Sequence, residues 1–244
     1  MSRIPIHEAR SALTAARKPA VGVPAYLRWI NRPLGGRVAI VAASWGATPN
    51  MVTAVSALLG FVGIGILIAV PEAWAGPAAT VLLLACYVFD SADGQLARIQ
   101  RRGGPAGEWL DHVVDAVRAP LVHIAIAVHL VRTHLEGGRF EVAQPVTAVV
   151  IVAAAFSALV SAWFLSQILA EKLAPPEKPD AERGGRGIME SFVKQPQDSS
   201  TTYVIVALIG LPVVFGVAYV ALFAWQLMIF AVSLRRKYSK LRSL

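Results

Sequence analysis

Apolar residues run along this chain in blocks of membrane length, separated by short polar breaks marked with glycine and proline. A helix needs about 20 apolar residues to cross a bilayer. On that measure the pattern predicts six spans, near residues 49–70, 74–101, 105–133, 143–172, 199–212 and 213–237. The last two are divided at Gly210-Leu211-Pro212, because residues 200–237 hold more apolar length than one helix rising about 1.5 Å per residue can use. The fifth span is then short, and thins the bilayer or starts below its surface. Ahead of the spans, PAYLRWINRPLGGRVAIVAASW interleaves Tyr26, Leu27, Trp29 and Ile30 with Arg28, Arg32 and Arg37, the pattern of an amphipathic helix lying in the membrane interface. The expected fold class is all-α: a polytopic membrane protein with six transmembrane helices preceded by an interfacial amphipathic helix. Its expected divisions are a basic N-terminal segment over 1–47, a six-helix transmembrane domain over 48–240 and a basic tail over 241–244.

Composition agrees with the periodicity. The 244 residues are 56% hydrophobic with a mean hydropathy of +0.57, which is membrane rather than soluble-core composition. The net charge of +8 does not point to nucleic acid, because the basic residues gather at membrane edges. Residues 1–47 carry Arg3, Arg10, Arg17, Lys18, Arg28, Arg32 and Arg37 against Glu8, and show no apolar run with a small-residue cleavage site. With the N-terminus inside, Arg98, Arg101 and Arg102, the loop over 173–199 and the tail RRKYSKLR all fall inside, and only Arg132 and Arg139 fall outside. Both termini are therefore expected in the cytoplasm, in a cell (inner) membrane. The lone Cys86 excludes a disulfide framework and a cysteine zinc site.

Against this background the segment DSADGQLARIQRRGGPAGEWLDHVVD stands out, since ionisable groups at membrane depth are functional candidates. Asp90, Asp93, Gly94, Ala97 and Arg98 fall at i, i+3, i+4, i+7 and i+8, one stripe of a helix. Gly107, Asp111 and Asp115 form a second stripe, after a basic turn closed by Gly103, Gly104 and Pro105. Two acidic stripes can face one another across a tight antiparallel pair, and four facing carboxylates require a compensating cation. Oxygen ligands without Cys or His favour Mg²⁺ or Mn²⁺ over zinc, and the ligand count suits two ions clamping a phosphate. Gly94, Ala97 and Gly107 leave the helix surfaces open to a ligand, with Arg98 placed to hold a phosphate oxygen. This site lies a few turns in from the cytoplasmic face.

The run from Asp90 to Asp115, with Asp93, Gly94, Ala97, Arg98, Gly107 and Asp111 at fixed gaps between them, resembles the complete signature of the CDP-alcohol phosphotransferases. TPNMVT, from Thr48, is similar to the segment that opens the first membrane helix in many members. The resemblance implies transfer of a phosphoalcohol group from a CDP-alcohol donor, CDP-diacylglycerol above all, to a hydroxyl acceptor, with release of CMP. It implies Asp90, Asp93 and Asp111 as metal ligands, Asp115 as both a ligand bridging to the second metal and the general base, and Gly94, Ala97, Gly107 and Arg98 as the nucleotide's seat. It also implies a homodimer. Members that take phosphorylated acceptors are expected to carry a basic residue after the fourth Asp, where this chain has Ala116, and GEWLDHVVD is similar to the choline and ethanolamine branch. Two other classes share some features: membrane prenyltransferases, whose acidic motifs come from separate halves of a longer bundle, and divalent-cation transporters, which have no need of the Gly-Ala-Arg pattern.

The remaining polar residues have plainer readings beside the functional ones. Arg118 either meets an anionic group of the acceptor or pairs internally with Asp115 or Asp111. Cys86, His123 and His129 are expected to pack. Asn50 and Thr53 are expected to cap the first span, beside the nucleotide. Ser157, Ser161 and Gln167 line a cavity or bond between helices. In the loop, MESFVKQPQD either folds over the site entrance, with Lys194 or Asp198 reaching substrate, or merely connects.

Overall fold

The computed structural model describes residues 3–16, 22–134, 145–173 and 187–243, and all regular structure in them is helical. Helix α1 (Ile6–Ala15) and, after a π-helical turn over Leu27–Asn31, helix α2 (Arg32–Trp45) precede three long helices, α3 (Pro49–Ala69), α4 (Ala75–Gln100) and α5 (Pro105–Thr133). Then come α6 (Pro145–Leu173), the short α7 (Gly187–Val193), a 3-10 turn over Gln195–Gln197, α8 (Ser199–Val206) and α9 (Pro212–Arg242).

The boundaries follow local chemistry. Thr48 starts α3 by accepting from the Met51 N–H, with Pro49 in the first turn, where its missing N–H costs nothing. Asn50 and Thr53, expected as the cap, are the second and fifth residues of the helix, so the cap belongs to Thr48. Arg101, in the left-handed region at φ 51°, ends α4 as its N–H and that of Arg102 bond back to Arg98 and Ala97 carbonyls. Gly103 and extended Gly104 then lead into Pro105 of α5.

Five helices, α3, α4, α5, α6 and α9, are long and apolar enough to cross a membrane among the described residues, rather than the six expected. The difference lies in residues 199–212, the expected fifth span. They form eight-residue α8 and then tightly wound turns in which the N–H groups of Ala207, Leu208, Ile209 and Leu211 bond three residues back. The polar head Ser199-Ser200-Thr201-Thr202 and the Gly210…Pro212 break keep this piece short. Pro145 and Pro212 line one cavity with Leu130 and His134, whereas Lys237 Nζ donates to Ser166 Oγ at 3.2 Å towards the other ends of α9 and α6. Leu173 and Pro212 therefore lie at opposite ends of the bundle. Among the described residues between them, 187–211 run in short pieces.

Packing is inverted relative to a soluble protein. Phe156, Tyr219, Phe215, Leu67, Leu83 and Ile126 form a core between α3, α4, α5, α6 and α9, while Leu58, Val62, Val81, Ile151, Val213 and Val217 face outward. Such an apolar exterior needs lipid. The chain is a multi-pass membrane protein. Helix α2 is docked rather than lying apart: Gly35, Gly36, Ala39, Ala42 and Ala43 are buried, and Gln95 Nε2 donates to the Arg32 carbonyl at 3.0 Å. Its Leu34, Val41 and Trp45, with Trp29 and Ile30 before it, remain exposed.

Candidate active site

Helices α4 and α5, joined by the tight basic turn, bring the two acidic stripes face to face. Asp90, Asp111 and Asp115 each offer a carboxylate oxygen within 4.8 Å of the others. Asp93 stands apart from this trio: its Oδ2 accepts from Thr53 Oγ1 at 2.6 Å and its Oδ1 from the Gly94 N–H at 2.5 Å. It faces the cavity that Asp111 also lines. An all-oxygen donor set in this spacing fits a hard divalent cation and does not fit a soft one.

Above the carboxylates opens a cavity of about 800 Å³, floored by Asp93 and Asp111 and rimmed by Arg98, Arg101 and Arg102. Gly94, Ala97, Arg98 and Gly107, the expected ligand seat, all line it. A Cβ built on Gly94 would find nothing nearer than Arg98 Nη1 at 3.7 Å, and one on Gly107 nothing nearer than Asn50 Oδ1 at 3.5 Å. Neither glycine is demanded by protein packing, and the room they leave belongs to the cavity. Arg98 Nε is buried and has no hydrogen-bond partner, as suits a guanidinium that awaits an anion.

Arg118 is 5% exposed and reaches into the cluster from below. Its Nη2 donates to Asp90 Oδ1 at 3.1 Å and to Asp115 Oδ1, so the internal pairing foreseen with Asp115 is made and extends across to α4. Its Nη1 donates to Cys86 Sγ at 2.8 Å and Ser56 Oγ at 3.4 Å. Gly60 makes this socket: a Cβ there would lie 2.9 Å from Cys86 Sγ and 3.1 Å from Arg118 Cδ. Cys86 is thus packed, as expected, and bonded as well. Ser56 and Gly60 went unnoticed in the sequence, although Thr53, Ser56, Gly60 and Gly63 make a small-residue stripe on α3. Glu108 and His112, also lining the cavity, were overlooked beside Asp111.

The other polar residues resolve simply. His123 Nδ1 meets Tyr219 Oη at 2.6 Å and its ring stacks on Phe156, and His129 Nδ1 meets the Leu67 carbonyl at 3.1 Å. Ser161 donates to the Ser157 carbonyl within its own helix, and Gln167 to Glu171. The described part of the 173–199 loop does not line the large cavity. It is clasped to the N-terminal segment: the Tyr26 N–H donates to Gln195 Oε1 at 2.7 Å, Arg28 donates to Ser191, Trp29 packs on Phe192, and Lys194 reaches Glu190 and the Gly22 carbonyl. Asp198 is spent on Tyr87 Oη and on the first turn of α8. The first half of that loop, residues 174–186, lies outside the described residues.

Residues 46–235 match the family model described as CDP-alcohol phosphatidyltransferase. Choline/ethanolaminephosphotransferase 2 of Arabidopsis thaliana is 31% identical over 105 residues, amounting to 40% of this chain and 27% of that relative's length. The matched stretch therefore covers about a quarter of that curated relative.

Proposed function

Because the chain belongs to the CDP-alcohol phosphatidyltransferase family, we propose that it transfers a phosphoalcohol group from a CDP-alcohol to a hydroxyl acceptor, releasing CMP, as a step of phospholipid biosynthesis. The observation that carries this reading is the meeting of Asp90, Asp111 and Asp115 beneath a cavity at which Gly94 and Gly107 answer no packing need.

In this reading Asp90, Asp93, Asp111 and Asp115 hold two Mg²⁺ or Mn²⁺ ions, which when bound neutralise the donor's diphosphate and the leaving phosphate. Gly94, Ala97 and Gly107 give the cytidine its place, and Arg98 binds a phosphate oxygen through the guanidinium left unsatisfied by the protein. Asp115 takes the acceptor's proton as its oxygen attacks the β-phosphorus and the bond to CMP breaks. Arg118 holds Oδ1 of Asp115, which leaves the second carboxylate oxygen for this task. Since its guanidinium is committed to Asp90 and Asp115, we assign Arg118 to the cluster and give it no direct contact with the acceptor.

We take CDP-diacylglycerol as the donor, supported by Met51, Trp109 and Val113, large apolar side chains exposed beside the cavity rim where acyl chains would lie. The Arabidopsis relative's name favours a second reading, in which a CDP-linked polar alcohol is the donor. The basic rim Arg98, Arg101 and Arg102 supports a cytoplasmic site in the cell inner membrane, with residues 1–47 as a basic interfacial segment and 48–240 as the catalytic domain ahead of the 241–244 tail. Assembly as a homodimer rests on the resemblance, and light scattering of the solubilised protein checks it.

The test is CMP release by purified protein offered each donor class. Release should vanish in EDTA and return with Mg²⁺ or Mn²⁺, and Asp115→Asn should bind CMP within a few-fold of wild type while losing about 10³-fold or more in turnover. Full activity in chelated protein would refute the metal reading, and near-normal turnover of Asp115→Asn would remove it from the base role.

A further inference from the structure

A second, smaller cavity of about 190 Å³ lies between α5, α6, α8 and α9. Its wall begins at Ala119 and Val122, one and two turns past Asp115 on the same side of α5. The nucleotide cavity, by contrast, ends at Asp111 and His112, one turn before Asp115. The proposed base therefore stands on α5 between the two spaces.

Among the described residues, the lining of the second cavity contains no Asp, Glu, Lys or Arg. Its polar groups are the hydroxyls of Ser199, Thr202 and Tyr203, the amides of Gln197 and Gln226 and the indole N–H of Trp163, with His123 turned to Tyr219. Thr202 and Tyr203 are 5% and 4% exposed, yet no hydrogen bond engages either hydroxyl among the described residues. Both hydroxyls are therefore free to meet a ligand that enters the cavity. The wall is preformed: Gln226 Nε2 donates to the Pro196 carbonyl at 2.7 Å, and Asp198 accepts from Tyr87 Oη at 2.7 Å, fixing the start of α8.

We propose that this second cavity is the acceptor's subsite and that the acceptor is an uncharged alcohol. The inference rests on the transfer reading above and specifies its other substrate. An anionic or ammonium group entering this space would lose its hydration and find no opposite charge among the described residues that line it, because Arg118 is already bound to Asp90 and Asp115 and is not part of that lining. An uncharged hydroxyl compound has no such penalty. Its oxygen, oriented by Thr202 and Tyr203, points back towards Asp115. The acceptor O–H bond breaks with its proton passing to Asp115, a new O–P bond forms at the β-phosphorus, and CMP leaves with the electrons of the broken P–O bond. Such an alcohol comes either from water, as a polyol, or from the membrane, as a diacylglycerol whose chains lie along Val160, Trp163 and Phe164.

The experiment uses the full chain in lipid nanodiscs with Mg²⁺, reading CMP release. One arm offers CDP-diacylglycerol with inositol or glycerol, a second offers CDP-choline or CDP-ethanolamine with diacylglycerol, and a third offers CDP-diacylglycerol with glycerol 3-phosphate, inositol phosphate or serine. Release in the first or second arm, at least tenfold above the third, is expected, and which of the two responds identifies the source. Thr202→Val, nearly isosteric, and Ala119→Leu, which fills the cavity, should each raise the acceptor KM about tenfold while CMP binding stays within twofold. A preference for the charged acceptors, or unchanged acceptor KM in both variants, overturns the proposal. Release in no arm from protein that still binds CMP overturns it and leaves the donor site standing, whereas failure to bind CMP at all overturns both.

Discussion

At the scale of single residues, Arg118 shows how the acidic cluster coexists with a membrane interior. Its guanidinium bridges Asp90 on α4 and Asp115 on α5 from a socket made by Ser56, Cys86 and Gly60. Losing one partner of a buried ion pair costs about 3–5 kcal/mol, so Arg118→Gln should unfold at markedly lower temperature in EDTA. Divalent ions supply the missing positive charge, and Mg²⁺ should raise its melting temperature more than that of wild type; equal increments would contradict the bridge. Glycines divide by what surrounds them. Gly94→Val should keep its fold and weaken CMP binding at least tenfold, about 1.4 kcal/mol, because the added atoms enter open space. Gly76→Ala should lower stability instead, since its Cβ would sit 2.5 Å from the Val206 carbonyl oxygen. Melting curves beside CMP titrations separate the two, and a Gly94→Val protein that binds normally would show that the cavity is not the nucleotide's. The spacing of Asp90, Asp93, Asp111 and Asp115 was readable along the chain, but the socket was not, because Ser56, Gly60 and Cys86 acquire their meaning only when α3 packs on α4.

At the scale of elements, the long helices were legible and the short ones were not. Helices α3 to α6 and α9 each carry an apolar stretch of membrane length, which leaves the backbone in lipid no alternative to helix. Helix α8 reads as apolar from Tyr203 onward but opens with four hydroxyl residues, and hydropathy averaged over a span hides that change. What holds it is Asp198, buried, capping its first turn and accepting from Tyr87 Oη one turn ahead of Asp90. Asp198→Ala removes the cap and strands the Tyr87 hydroxyl, a loss of about 2–4 kcal/mol. It should lower the melting temperature and reduce turnover while CMP affinity holds, because α8 lines the second cavity and not the first. Unchanged stability would show that α8 is held elsewhere. The 187–198 stretch illustrates the same limit: its mixed pattern suited a cover for the site, and its actual partners, Tyr26, Arg28 and Trp29, lie more than 150 residues away in sequence.

At the scale of the whole molecule, the end of α2, the turn after α4 and the ends of α6 and α9 gather at the end that holds the carboxylates, with His134, Pro145 and Pro212 at the other. With the site facing the cytoplasm as proposed, cysteines placed at Ser11 and Ser243 should resist a membrane-impermeant maleimide added to intact cells, and one at His134 should react; labelling of Ser11→Cys and Ser243→Cys from opposite sides would break this arrangement. The linear chain by itself determined the helical class, the membrane setting and the acidic stripes, because helix periodicity and the cost of charge in lipid are local quantities that spacing alone expresses. Tertiary structure alone decided that Arg118 would bridge the carboxylates, that residues 187–211 would run in short pieces, and that a second cavity would form past Asp115 on α5. Each of these depends on which helices touch, and the energy of a contact between residues distant in sequence is not written in the order of either one's neighbours.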